Sequence, residues 1–463
     1  MGTTADKLNY IIATKEAIRK TIEAKGVYLP EDATFRSYAD AIAYMPSDGD
    51  DSVKAAKAVN FMDESGRIIH SYTAEEAAAL SAEPTCALRE GLLFKGWNYN
   101  LAEVKAYAGQ YGGVDVGANY VPNGRKTKLY ISITDEADLT VEYIKVHIFK
   151  NNNSYSVGYI TVDWGDGTPI DETQQPEWMK HTYEKLGDYV ITLTPKAGYK
   201  LRIGYTRLFY SGTRDQLALL RKVEFGDDTN FYLYSNQSLA LQGCPNLEYV
   251  SILSKDITSI PQKLCINCAG LKAVALPEWV RQIEAQAFNG CTSLQRISLN
   301  NVSSLGDNNF NGSSALETIL IPKEMAYITG FSNCTALKKI TILESDIKKS
   351  FNGVFYGCTA LESVEFPECV TYIDGFNYCT SLKRVTFPSA LTYLGGFQDC
   401  KAMEVMDFRA ATSVPKLKNY LLSMPSACKF IVPDDLYDSW INDSTWKKYF
   451  TFGTFVKASE YTE

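Results

Sequence analysis

The chain has 463 residues, 45% hydrophobic and 22% charged, and a chain of this length exceeds a single core, so roughly three or more structural units are expected. Its 46 basic and 54 acidic residues leave a formal charge of −8; with no long basic run, this excludes sequence-independent binding to nucleic acid or anionic membranes. Histidine occurs only at 70, 147 and 181, which disfavours histidine catalysis and zinc chemistry.

The opening MGTTADKLNYIIATKEAIRK carries charges every few residues and lacks the apolar core of a secretory signal. Residue 6 is Asp, where a myristoylation pattern needs Ser or Thr. No run of 18 apolar residues occurs, and the closing FVKASEYTE has no hydrophobic anchor. The expectation is a soluble protein, not inserted in a membrane, made in a reducing cytoplasm. Residues 4–24 fit an amphipathic helix, with Leu8, Ile11, Ile18 and Ile22 on one face, Thr3 or Thr4 as N-cap and Gly26 as stop. A second helix fits Asp32 to Met45, with Phe35, Tyr38 and Ile42 inward and Pro30 and Pro46 bracketing it. Residues 1–50 thus read as an N-terminal α-helical segment for attachment or oligomerisation, a helical hairpin whose 3-4 spacing also fits a short coiled coil. SDGDDS at 47–52 reads as a linker. Residues 51–122 read as a small α+β module: strand, ESG turn, strand, short helix, then a further strand and helix in GLLFKGWNYNLAEVKAYAGQYG.

From 126 the chain alternates with period two in KTKLYISIT, TVEYIKVHIFK, GYITVDWGDGTPI and HTYEKLGDYVITLTP, which predicts an antiparallel sandwich over 123–200. TVDWGDGTPI followed by KHTYEKLGDYVITL resembles the PKD domain, an immunoglobulin-like β-sandwich. That resemblance implies that WGDGT is a tight strand-ending turn and that HTY…GDY forms the next edge. Two roles fit Asp163 and Asp166: accepting backbone N–H groups within the turn, or holding calcium.

From 217 to 433 the chain repeats itself. LRKVEF, LEYVSI, LKAVAL, LQRISL, LETILI, LKKITI, LESVEF, LKRVTF, MEVMDF and ACKFIV begin at 220, 247, 271, 294, 316, 337, 361, 382, 403 and 427. Steps of 21–27 residues around such a strand mark a leucine-rich-repeat solenoid. Nine steps at ~4.8 Å make a rod or arc about 43 Å long. VTYIDGFNYCTSLKRVTFP, LTYLGGFQDCKAMEVMDF and MAYITGFSNCTALKKITI resemble the BspA-like class, in which an Ile, Phe, Cys and Leu succession ends in Pro. The solenoid is assigned to 201–433. VPDDLYDSWINDSTWKKYFTFGTFVKASEY breaks the repeat, and 434–463 reads as a C-terminal cap carrying Leu436, Trp440, Ile441, Trp446 and Tyr449.

Cys244, Cys268, Cys291, Cys334, Cys358, Cys379 and Cys400 hold one position in successive turns, and Ser313 replaces Cys in another. A place that accepts Cys or Ser wants a small, weakly polar group, so these read as a structural ladder of reduced, buried thiols. Disulfides would need matched pairs, and the eleven cysteines are odd in number. Cys265 and Cys268 form a lone CxxC with no second pair at zinc spacing. No metal or other cofactor is expected.

At the position before the inward Ile or Leu, four turns carry Tyr327, Lys349, Tyr372 and Tyr393, candidates to face a ligand or merely to cover a neighbouring turn. No nucleophile elbow, HExxH, P-loop or dinucleotide fingerprint occurs, so an enzyme is not expected. The opening TKEAIRKTIEAKGVYLPEDATFRSYADAI and FMDESGRIIHSYTAEE…GLLFKGWN resemble segments of bacteriophage tail-associated proteins. This implies a virion structural protein (tail fibre, baseplate or head fibre), assembled in the host cytoplasm and homo-oligomeric, with a trimer as one form. It would join other virion proteins through residues 1–50 and meet a host-surface glycan or protein through the solenoid. The alternative is a BspA-like bacterial cell-surface adhesin; a glycan-degrading virion enzyme is a third reading.

Overall fold

The computed structural model describes residues 58–462 apart from 64–65, 67, 87–91, 112, 123–125, 151–158, 175–178, 204–206, 210–215, 232–239, 300, 418–424 and 452. The helices expected within 1–50 and the linker at 47–52 lie outside the described residues. The chain divides into two compact units, Met1–Arg125 and Lys126–Glu463.

In the first unit a four-stranded sheet runs in the order Ile68–Tyr72, Val59–Met62, Val114–Pro122, Leu92–Trp97. Val59–Met62 pairs parallel with Val114–Pro122, and both outer strands pair antiparallel. Helix α1, Ala74–Ala78, begins with a capping box between Thr73 and Glu76. Helix α2, Leu101–Tyr111, begins with the same reciprocal pair between Asn100 and Glu103, at 2.9 and 3.0 Å. Phe61 and Trp97 meet edge to face at 4.8 Å in the core. The strand Val114–Pro122 is absent from the sequence reading because Gly117 and Asn119 interrupt its alternation.

In the second unit Thr127–Ile133, Gly187–Pro195 and Ile160–Asp163 pair antiparallel, and Leu129, Ile131, Val162, Ile191 and Leu193 are buried between layers. This is the antiparallel layering expected from the period-two pattern. One detail differs: Gly187–Pro195 has a strand on each side, so it is an interior strand and not an edge.

The expected boundary near residue 200 does not exist as a break in structure. Leu220–Phe225, the first repeat strand, pairs antiparallel with Thr127–Ile133 and parallel with Tyr249–Ile252. The result is a single eight-stranded sheet that passes from sandwich to solenoid. The second layer does the same: Tyr199–Ile203 pairs antiparallel with His147–Lys150 and parallel with Thr229–Phe231. At the seam the Thr127 hydroxyl donates to Asp228 at 2.9 Å and contacts Thr229. The physical reason is that the open end of a solenoid is an unpaired strand edge, and the sandwich supplies the missing partners. One hydrophobic core runs from Leu129 to Phe455.

Each of the ten expected repeat positions carries a strand of the major sheet, from Leu220–Phe225 to Cys428–Val432. Nine of the ten turns add a second short strand, such as Tyr327–Ile328 or Tyr393–Leu394, and from Ser259–Ile260 onward these pair in parallel as a three-stranded and a five-stranded sheet. At two to four residues these strands are too short for alternation to reveal them. Between minor and major sheets lies the corner that contains the cysteine. Phe288, Phe310, Phe331, Phe355, Phe376 and Phe397 stack there with centroid spacings of 5.7, 5.0, 5.6, 5.2 and 5.3 Å.

The seven ladder cysteines are fully buried, and Cys268, Cys291, Cys334, Cys358, Cys379 and Cys400 are free thiols. Each of these six donates its S–H to a backbone carbonyl of the preceding turn, Cys268 to Leu241 at 2.8 Å and Cys379 to Phe355 at 3.2 Å, for example. Ser313 occupies the same place, but its hydroxyl is buried without a hydrogen-bond partner. The longer C–S bond lets a thiol reach a carbonyl that the hydroxyl does not.

The residue before each ladder position is left-handed, at φ 57–76°: Gly243, Asn267, Gly290, Gly312, Asn333, Gly357, Tyr378 and Asp399. Gly, Asn and Asp tolerate this conformation; for tyrosine it costs about 1–2 kcal/mol. At Gly290 and Gly357 a Cβ would stand 2.4 and 2.5 Å from the side-chain oxygens of Asn267 and Asn333 one turn below, so a larger residue there would push those amides aside.

The C-terminal segment covers the last turn as expected. Trp440 and Trp446 are fully buried, and Trp446 donates to the Pro415 carbonyl at 2.9 Å. It does not wholly break the repeat, because Gly453–Lys457 adds one more parallel strand beside Cys428–Val432.

Replacing Ser313 by Cys is expected to stabilise the protein by about 1 kcal/mol, since an orphaned buried hydroxyl becomes a thiol within reach of a carbonyl. An unchanged or lower urea midpoint for Ser313→Cys would refute this account of the ladder.

Candidate binding surface

Burial disfavours reactive chemistry at most of the thiols, Cys268 excepted, where hydrogen bonds from Cys244 and Cys265 favour the thiolate. Burial pushes Cys428 up to about 12, and it drives Cys379 and Cys400 above the ordinary thiol range as well. Thiols held protonated are poor nucleophiles and poor metal ligands. Among the described residues no group of three or more His, Cys, Asp or Glu side chains is placed to share a metal ion.

Asp163 and Asp166 serve the WGDGT turn. Asp163 accepts the Gly165 N–H at 2.9 Å; Asp166 accepts the Thr168 N–H and hydroxyl at 3.1 and 2.6 Å. The other Asp166 oxygen meets His181 Nε2 at 2.7 Å, and the His181 ring stacks on Trp164 at 4.7 Å. Trp164 donates to Asp171 at 2.6 Å, and the Tyr183 hydroxyl donates to the Trp164 carbonyl at 3.0 Å. Burial opposes the Asp166 charge, but the hydrogen bonds from Thr168 and His181 outweigh it and hold the carboxyl at about 2, against 3.8 ordinarily. A carboxyl lowered in this way stabilises the fold above its ordinary value and loses that contribution as the pH falls toward 2.

The outward column of the minor sheet is where ligand-facing residues were sought. Tyr327 is 77% and Tyr393 37% exposed. Tyr372 is half-buried and stacks on Tyr393 at 5.6 Å. These three stand in register through Ser350, in the order Tyr327, Ser350, Tyr372, Tyr393, and Lys416 follows.

Lys349 does not belong to this column. Its side chain is fully buried, and its ammonium donates to the carbonyls of Pro322, Lys323 and Met325 at 3.0, 3.0 and 2.8 Å. Ser350 pairs with Tyr327 and Phe351 with Ile328, so Ser350 takes the outward place and Lys349 alternates inward. The inward residue of this turn is Phe351 and not an Ile or Leu, which is why Lys349 was misplaced. Burial lowers the Lys349 pKa, while Cys369, Glu324 and Glu344 hold it up.

A second tyrosine pair was missed. Tyr356 and Tyr378, 43% and 38% exposed, lie on the cysteine corner with ring centroids 5.0 Å apart. Their signal was visible in FYGCT and FNYCT, where aromatic residues stand beside the ladder cysteine.

Residues 234–330 and 329–429 match the family model described as the BspA type leucine rich repeat region, in six copies. The matched residues carry most of the cysteine corner and its thiol ladder. The matched span, residues 234–429, is less than half of the chain. This BspA-type match does not extend to the sandwich, where the PKD resemblance rests on the segments TVDWGDGTPI and KHTYEKLGDYVITL alone. No curated protein matches the sequence. Similar solved structures include a leucine-rich repeat protein from Bacteroides ovatus ATCC 8483, at 18% identity and TM-score 0.35, covering 53% of this chain and 74% of that one. The pneumococcal vaccine antigen PcpA is similar at 15% identity and TM-score 0.32, over 51% and 68% of the two chains. A leucine-rich cell surface protein from Faecalibacterium prausnitzii A2-165 is similar at 16% and 0.23, over 56% and 87%. None of these likenesses bears on function. Among the described residues no helix is long and apolar enough to cross a membrane.

Two measurements check this geometry. Asp166→Asn is expected to cost at most about 2 kcal/mol at pH 7, with the difference from wild type vanishing near pH 2; Trp164 fluorescence reads the transition, and a cost independent of pH contradicts the assignment. Lys349→Met leaves three buried carbonyls without their donor, and about 3 kcal/mol of stability is expected to go with it. A loss well under 1 kcal/mol in urea unfolding would show that the carbonyls find other partners.

Proposed function

We propose that this protein is a non-enzymatic BspA-like recognition protein of a bacterial cell surface, whose repeat region holds a glycan or protein partner. The observation that carries the reading is the column Tyr327, Tyr372 and Tyr393 along one face of the BspA-type repeat. Tyrosine offers a large, stiff contact area with a polar tip, and a column of them on a rigid sheet is ordered before the partner arrives, so association costs less entropy. The match to BspA-type repeats supports the cell-surface reading better than placement on a bacteriophage particle. The virion role draws no support from the comparisons, and its attachment segment, residues 1–50, lies outside the described residues.

Adhesion tests the reading. Beads coated with the full chain are expected to bind cultured epithelial cells or extracellular-matrix glycoproteins, and a Tyr327→Ala/Tyr393→Ala variant to bind at least tenfold less at unchanged thermal stability. Wild-type beads that bind no better than bare beads would sink the proposal; equal binding by the variant would remove this face from it.

A further inference from the structure

On the cysteine corner the strain and the exposure of one residue go together. Tyr378 adopts φ 62° in a column otherwise filled by Gly, Asn and Asp. The strained backbone gains little burial, because the side chain remains 38% exposed. The corner imposes this φ in every turn, so what is particular here is that a tyrosine stands where Gly, Asn or Asp would be relaxed, with its ring left open to solvent. The backbone fixes the pair: Tyr356 O accepts from Asn333 N at 2.6 Å, Gly357 N donates to Asn377 O at 2.8 Å, and Tyr378 N donates to Gln398 O at 2.7 Å. The two rings therefore sit on successive turns, 5.0 Å apart and inclined by 54°.

The flanking groups are amides. Asn377 accepts the Gln398 N–H through Oδ1 at 2.7 Å, which leaves its Nδ2 hydrogens for other acceptors. In the two columns before the ladder position, from Gln242 to Asp399, no Lys, Arg or His occurs. An anionic sugar would find no cation there. Aromatic faces next to Asn and Gln suit the C–H face and the hydroxyl edge of an uncharged pyranose.

We infer that Tyr356 and Tyr378, with Asn377 and Gln398 beside them, form a subsite for an uncharged glycan on the cysteine corner, separate from the Tyr327–Tyr393 column. The inference rests on the recognition function proposed above and names a ligand class for it. Tyr378 is the residue whose backbone is held out of its preferred conformation to present its ring.

The test applies the full chain, wild type and variants, to a broad array of neutral, sialylated and sulfated glycans, with calorimetry on the best neutral oligosaccharide retained. Wild type is expected to retain neutral glycans in preference to charged ones. Tyr356→Ala and Tyr378→Gly are each expected to weaken binding at least tenfold, while Ile170→Ala, at an exposed position of the sandwich, binds as wild type. Glycine relaxes the φ at 378, so Tyr378→Gly is expected to melt at or above the wild-type temperature, which separates lost binding from lost folding. Retention of no neutral glycan, preference for anionic ones, or wild-type affinity in Tyr378→Gly would each overturn the subsite. The adhesion assay keeps the two proposals apart: undiminished cell binding by Tyr378→Gly leaves the recognition function standing without this subsite, whereas no cell binding by wild type removes both.

Discussion

A single turn of this solenoid cannot bury its own apolar face, and each turn is therefore completed only by the next. That constraint dictates which side chains recur. Rungs ~4.8 Å apart bring equivalent residues into contact, so the recurring residues are those that stack well on copies of themselves: leucine, phenylalanine, and a thiol that donates to the carbonyl one turn back. Phe310 and Phe331, with centroids 5.0 Å apart, are as much a part of that ladder as Cys334 and its bond to the Phe310 carbonyl.

The same constraint explains the ends. A stacked array must stop somewhere, and each stop exposes strand edges and apolar surface. At one end the sandwich strands Thr127–Ile133 and Tyr199–Ile203 pair with the first turn in both layers. At the other, Trp440, Trp446 and the strand Gly453–Lys457 close the core. The sandwich is thus less a neighbouring domain than the foundation of the solenoid.

What the sequence made legible follows this logic. The major strands, the thiol ladder and the cap were readable because they recur or because they interrupt recurrence. The shared sheet was not, because strand pairing between Leu220–Phe225 and Thr127–Ile133 leaves no periodic trace in either segment. Lys349 was misread for a different reason: the inward residue of that turn is Phe351 and not an Ile or Leu, so the outward place before it belongs to Ser350, and the lysine one step earlier points inward onto three carbonyls. Tyr356 and Tyr378 were in plain view but stood beside a cysteine that drew the interest, and only the φ of 62° sets Tyr378 apart from its column. Tyr327 and Tyr393 were placed correctly on the outward face, since their inward neighbours Ile328 and Leu394 fix the parity of the strand.

Closing both ends with non-repeating structure has an evolutionary consequence. Deletion or duplication of one whole turn in the middle shifts the rungs by one step and leaves the two closures untouched, because each contacts only the turns at its own end. Turn number is then a free variable under selection. The protein can lengthen its displayed surface, or move an aromatic rung relative to its neighbours, by a recombination event that creates no new edge.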